Sequence, residues 1–221
     1  TPFVEYAKLL LDECELNTIL FTNGDSDTYP LWYVQEKLGF RKDVLVVNLS
    51  LLQTTWYQEM VIDRYKLNST FSPEILHYIF GRAFVFNGEE KLNFDEWLKS
   101  YQLEVQAQIA QGLKAPPYDE VPGEWMLNYA SSELEIIGNY YAMAVQVFIY
   151  DLIESNKNKK IASTSYYTFQ ELGLTRFAGK SGMLYKLLDR EPDAKFNAKA
   201  EEQVISILSK LKTIYFSANP E

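Results

Sequence analysis

The sequence predicts an α/β fold: a Rossmann-like three-layer arrangement with a mostly parallel sheet of about four strands, a helical insertion and a C-terminal helix. Three observations within residues 18–60 carry this reading. Thr18–Thr22 is a brief β-rich run halted by the turn residues Asn23-Gly24-Asp25. A helix follows, with Asp27 or Thr28 as N-cap, Pro30 in the first turn and Gly39 as stop. Asp43–Leu49 is then a continuous apolar run, as suits a strand covered on both faces.

A strand, a helix and a strand in about thirty residues make a right-handed βαβ unit with parallel strands. Their C-terminal ends, Asn23–Thr28 and Asn48–Thr55, are thereby expected at one rim of the sheet, where open α/β sheets bind ligands. Phe3–Leu11 has helical apolar spacing, and a further helix is expected over Thr54–Tyr65. Residues 68–130 break the rhythm. They are read as a mostly helical insertion with helices at Pro73–Phe80 and Asp95–Gln111, a short Ala83–Phe86 run and a Pro-rich turn at Ala115–Pro122. A long helix is expected from Ser132 to Ser155, a third strand at Ile161–Ser165 and a helical turn at 168–172. A fourth strand is expected at Gly182–Leu188 and a terminal helix at Glu201–Leu211, all within a single α/β domain spanning 1–221.

The net charge of −9, with no dense Lys/Arg stripe, speaks against nucleic acid and anionic membrane surfaces as partners. Cys14 stands alone, so an intrachain disulfide and a cysteine-based zinc site are excluded. His77 is the one histidine, which removes multi-His metal centres, and no Gly-x-Ser-x-Gly elbow accompanies it. Gly179-Lys180-Ser181 imitates the tail of a phosphate loop, but the upstream glycine is misplaced and a strand follows. No motif calls for a cofactor or a metal. Thr1 opens neither a signal peptide nor a membrane span, and Ile136–Ile153, with Asn139, Gln146 and Asp151, reads as a buried helix rather than a span. Sixteen Tyr, thirteen Phe and four Trp exceed what core filling requires, so some rings are expected on a surface.

The run from Ile19 to Tyr33, with Asn23-Gly24-Asp25-Ser26-Asp27-Thr28-Tyr29-Pro30-Leu31-Trp32-Tyr33 at its centre, is chemically unusual. Together with Gln35-Glu36, Arg41-Lys42-Asp43-Val44, Val47-Asn48-Leu49-Ser50-Leu51-Leu52 and Thr55-Trp56-Tyr57, it closely resembles a signature of one family. That signature belongs to the soluble C-terminal region of bacterial protein O-mannosyltransferase-like membrane proteins, multi-spanning members of the type C glycosyltransferase class. Lys160–Thr164 and Gly182–Leu187 are similar to the family's later strand pair, although the basic-Pro lead into the third strand and the membrane-spanning portion are lacking.

The resemblance implies an extracytoplasmic, non-catalytic domain at the periplasmic face of the inner membrane; without it, the default location is cytoplasmic. The family's transfer chemistry rests on an acidic residue in the membrane part, so no catalytic residue carries over. The implied partners are a glycan or acceptor protein and the membrane-spanning region of the same parent chain. The candidate recognition rim is Asn23, Asp25, Asp27, Tyr29, Asn48, Ser50, Trp56 and Tyr57: carboxylates and amides suit sugar hydroxyls, and rings suit stacking. The same Asp25/Asp27 pair also admits a bland reading, in which one caps the helix and the other makes a turn. Two other functions stay open: a free-standing α/β enzyme using Asp25 or Asp27 as general acid/base, and a pure protein-interaction module.

Overall fold

A computed structural model of the chain describes residues 2–136 and 141–218, with side chains through Ile214. Asn139, named above within the apolar stretch, lies outside the described residues, as does part of the helix expected from Ser132. The elements in chain order are α1 (Pro2–Asp12), β1 (Ile19–Thr22), α2 (Asp25–Leu38), β2 (Leu45–Asn48), α3 (Leu49–Leu52), α4 (Thr55–Tyr65), α5 (Pro73–Ile79), β3 (Ala83–Asn93) and α6 (Phe94–Ala110). They continue as β4 (Tyr118–Tyr129), β5 (Ser132–Glu135), β6 (Tyr141–Met143), α7 (Ala144–Ser155), β7 (Ile161–Ser163), α8 (Tyr166–Glu171), β8 (Ala178–Ser181), β9 (Leu184–Leu187) and α9 (Ala194–Ala218).

The strands form two mixed sheets, which overturns the mostly parallel, four-stranded Rossmann-like sheet expected from the sequence. The first has five strands in the order β2-β1-β7-β9-β8 and the second four in the order β5-β4-β3-β6. In the first, β2, β1 and β7 are parallel, while β9 runs antiparallel to its neighbours β7 and β8. The physical reason is the link between β8 and β9. Gly182 takes φ +65, and with Met183 it joins the two strands in so few residues that only an antiparallel return is possible. The strand expected at Gly182–Leu188 is therefore the second arm of a hairpin whose first arm begins at Ala178.

The chain divides into two compact units. The first is drawn from residues up to Ser50, Lys159–Phe169 and those from Thr175 onward; the second comprises Leu51–Asn158 and Gln170–Leu174.

In the first unit β1 and β2 pair in parallel with Leu20 opposite Val46, as the crossover requires. All four β1 residues and all four β2 residues are buried. The core joins Leu10, Leu11 and Cys14 of the α1 region to Leu20, Leu31, Val34, Val46, Ala162 and Leu184. Burying one such Leu or Val contributes about 1.5–3 kcal/mol. The outer edge of β2 is closed by side chains of α2. Trp32 Nε1 donates to Val46 O (3.3 Å), and Gln35 Nε2 donates to Val44 O (2.7 Å), satisfying carbonyls that have no neighbouring strand.

The second unit holds the second sheet. Its strands β3 and β4 run parallel, while β5 and β6 are antiparallel to their neighbours. Two strands of eleven and twelve residues thus lie where a mostly helical insertion was expected. Pro122 donates no ladder hydrogen bond, and β3 answers with a bulge between Phe86 and Glu90. Gly88 within that bulge has φ +139, and a Cβ there would come 2.2 Å from Pro122 O. Ser132 begins a strand rather than the expected long helix: Ala130, at φ +52, turns the chain so that β5 folds back on β4. The helix starts only at Ala144. Rings fill this core, with Trp125 in contact with Phe84, Phe94, Trp97 and Tyr150 at centroid separations of 4.6–6.0 Å.

Candidate functional site

The C-terminal ends of the parallel strands β2, β1 and β7 place Asn48, Thr22 and Ser163 side by side in the first unit. Helix α2 starts at this rim. Its N-cap is Gly24, not Asp27 or Thr28 as expected, and Asp27 occupies the third helical position. Gly24 has no side chain to cap with, so the helix start depends on Asp27 reaching back. Asp27 Oδ1 accepts from Gly24 N (2.9 Å) and Oδ2 accepts from Asn23 N (2.9 Å). Oδ2 also accepts from the Thr164 hydroxyl (2.6 Å), which ties β7 to the β1–α2 loop. Both oxygens are therefore engaged within the fold.

Beneath this loop lies a buried hydroxyl and amide network. Thr28 Oγ1 donates to Gly24 O (2.5 Å) and accepts from Asn48 Nδ2 (3.0 Å), with Thr22 Oγ1 at 2.7 Å. Ser50 Oγ donates to Asn23 O (2.5 Å), joining the end of β2 to the end of β1. Ser163 and Thr168 share a hydrogen bond of 2.7 Å on the far side. Thr22, Thr28, Asn48, Ser163 and Thr168 are all buried, so the network fixes the rim and does not face a ligand.

Asp25 is exposed and points along the outside of α2 toward Tyr29. Hydrogen bonding to Asp25 pushes the Tyr29 phenol pKa up. The Tyr6 phenol is also pushed up, first by burial and then by the Asp27 and Glu13 charges. Tyr29 is half exposed, and its ring lies 5.7 Å from that of Trp32 at a 33° tilt. Tyr29, Pro30, Tyr33 and Leu38 of α2, with Phe3 and Val4 of α1, line an open groove of about 510 Å³.

Six of the eight expected site residues thus belong to the first unit: Asn23, Asp25 and Ser50 are exposed, Tyr29 is half exposed, Asp27 is partly buried, and Asn48 is fully buried. Trp56 and Tyr57 belong to the second unit, where they part company. Tyr57 is 1 % exposed and Trp56 58 %, their rings meeting edge-on at 5.6 Å. Tyr57 is a packing residue, and of the pair only Trp56 offers a free face. Sequence reasoning missed Thr164, Ser163 and Thr168; the available signal was the hydroxyl run Ser163-Thr164-Ser165 at the end of an apolar strand. It also missed Tyr33, one helical turn beyond Tyr29.

Among the described residues no group of three or more His, Cys, Asp or Glu side chains is placed to hold a metal ion. Cys14 is buried, and burial pushes its thiol pKa up to about 12, which keeps it unreactive near neutral pH.

Residues 3–81 match the family model of TMEM260-associated domain 2. The match covers the rim loop, α2, β2 and the first helices of the second unit, the same stretch that carries the resemblance noted from the sequence. It bears no information on a bacterial source. No curated protein and no solved structure matches the chain. Among the described residues no helix is long and apolar enough to cross a membrane.

Proposed function

We propose that the chain is a non-catalytic accessory domain of an O-mannosyltransferase-like membrane protein, on its extracytoplasmic side. There it holds a glycan or glycan-bearing acceptor for chemistry performed by the membrane-spanning region of the same parent chain. The similarity of residues 3–81 to TMEM260-associated domain 2 supports the kinship. The observation that carries the non-catalytic part is the state of Asp27. A general acid or base must exchange its proton with substrate, whereas this carboxylate is committed to Asn23 N, Gly24 N and Thr164 Oγ1. Asp25, the other candidate, stands in open solvent beside a tyrosine, without the enclosing pocket that tunes a catalytic carboxylate.

The test uses isotope-labelled chain titrated with methyl mannoside, a mannosylated peptide and the unmodified peptide, followed by amide NMR, alongside a transfer assay with an activated mannose donor. Expected are amide shifts within the first unit with the glycosylated ligands, and no transfer by the chain alone. Transfer or hydrolysis that disappears in Asp25→Asn makes the chain an enzyme and overturns the reading. Silence with every ligand removes its ligand-binding part.

A further inference from the structure

The rim network is closed by its own hydrogen bonds, and a row of exposed side chains lies along the outside of α2. Asp25, Tyr29 and Tyr33 follow one another at four-residue intervals, which on an α-helix stacks them on one face over about 12 Å. We propose that this row, flanked by Phe3 and Leu38, is a stacking platform for the pyranose rings of a neutral glycan. The proposal rests on the accessory-domain reading above and assigns its ligand face.

Four observations bear on it. First, Tyr29 and Tyr33 are 50 % and 52 % exposed, so both rings present a face to solvent instead of filling the core. Second, the Tyr29 ring is backed by Trp32, whose indole is pinned by its hydrogen bond to Val46 O, so the platform is held in place before a ligand arrives. Third, the groove of about 510 Å³ falls within the roughly 300–1,000 Å³ common for small-ligand sites. Fourth, the row begins at a carboxylate. A pyranose offers a C–H face to a ring and hydroxyl donors to a carboxylate from the same molecule. Asp25 already accepts from the Tyr29 hydroxyl, and its remaining lone pairs can take sugar hydroxyl donors. An apolar peptide side chain would meet the rings and offer that carboxylate no donor.

The charge pattern narrows the ligand further. Asp25 and Asp27 already fill the favourable anion position at the start of α2, so a sugar carrying a phosphate would approach two carboxylates. The platform accordingly selects the neutral acceptor or product glycan and disfavours a phosphate-linked donor.

The experiment titrates the labelled chain with methyl α-mannoside, a mannose disaccharide and mannose 1-phosphate, repeated on Tyr29→Ala, Tyr33→Ala and Asp25→Asn. Amide spectra of the variants check that the fold is unchanged, which the exposure of these side chains favours. The expected result is shifts centred on residues 25–33, affinity for the neutral sugars at least tenfold weaker in either tyrosine variant, a smaller loss in Asp25→Asn, and weaker binding of the phosphate. Binding of neutral sugars undiminished in both tyrosine variants overturns the platform. So do shifts confined to Asn23 and Ser50, an outcome that leaves the glycan-binding reading standing. Equal or tighter binding of mannose 1-phosphate overturns the selection for neutral ligands. No response to any sugar overturns both the platform and glycan binding by this domain.

Discussion

Asp25 and Asp27 stand two residues apart, yet the structure gives them opposite surroundings, one exposed and the other bonded within the fold. Asp27 replaces the side-chain cap that Gly24 cannot supply and reaches across to Thr164, so its loss leaves two loop amides and a hydroxyl without their acceptor. Asp27→Ala is expected to destabilise the chain by about 1–3 kcal/mol. For a chain of this size that is a fall of roughly 3–10 °C in Tm. Asp25→Asn is expected to leave Tm where it was. Calorimetry or thermal melts compare the two directly, and equal melting of Asp27→Ala and wild type would show that the loop is held by something else. In the second unit Asp151 supplies a pH test. Burial raises its pKa above that of an ordinary aspartate, against the lowering effect of hydrogen bonds from Ser69, Thr70 and Ser155. A folded pKa above the unfolded one means that the native state binds the proton more tightly. The stabilisation is then complete below the unfolded pKa and is lost as pH rises through the folded value. Urea unfolding of wild type against Asp151→Asn is expected to show the wild type gaining relative stability as pH falls from 7 toward 4. The gain is at most about 1.4 kcal/mol per pH unit, and a difference that stays flat across that range removes the linkage.

At the scale of elements, legibility followed punctuation. β1, α2 and β2 were readable because apolar runs, Pro30 and Gly39 mark their bounds within a few residues of each other. β3 was legible only as Ala83–Phe86, since Asn87-Gly88-Glu89-Glu90 has none of the branched or aromatic residues that announce a strand, and its extension depends on pairing with β4. β4 hides its alternation, with Val121, Gly123, Trp125, Leu127 and Tyr129 buried, behind a proline that normally argues against a strand. The rim was half legible for the same reason. Thr22, Asn23 and Asn48 are local to the βαβ unit, whereas the Thr164–Asp27 bond spans 137 residues of chain and leaves no local mark. The β3–β4 join gives a test. Gly88→Ala places a Cβ against the Pro122 carbonyl in a backbone conformation that L side chains rarely adopt, at an expected cost of about 1–3 kcal/mol. The readout is the denaturation midpoint, and a midpoint equal to wild type would mean that the bulge relaxes freely.

At the scale of the whole molecule, composition proved more informative than architecture. The aromatic surplus divides between a ring-filled core around Trp125 and exposed faces such as Tyr29, Tyr33, Trp56, Tyr141 and Tyr167, an arrangement that core packing alone does not require. The acidity decides what kind of partner those faces admit. A chain of net charge −9 repels polyanions, and at physiological salt the repulsion acts over about 8 Å. A neutral glycan is indifferent to it, because no ion pair forms or breaks on binding. On the proposed reading, the affinity for a neutral mannose disaccharide is therefore expected to change less than about twofold between roughly 0.05 and 0.5 M salt. A ligand bound through phosphates would weaken by orders of magnitude over such a range. Calorimetric titration at the two salt concentrations reads this without any mutation. A steep loss of affinity with salt would mean that charge, and not the tyrosine faces, carries the recognition, and the ligand would then have to be sought among cations.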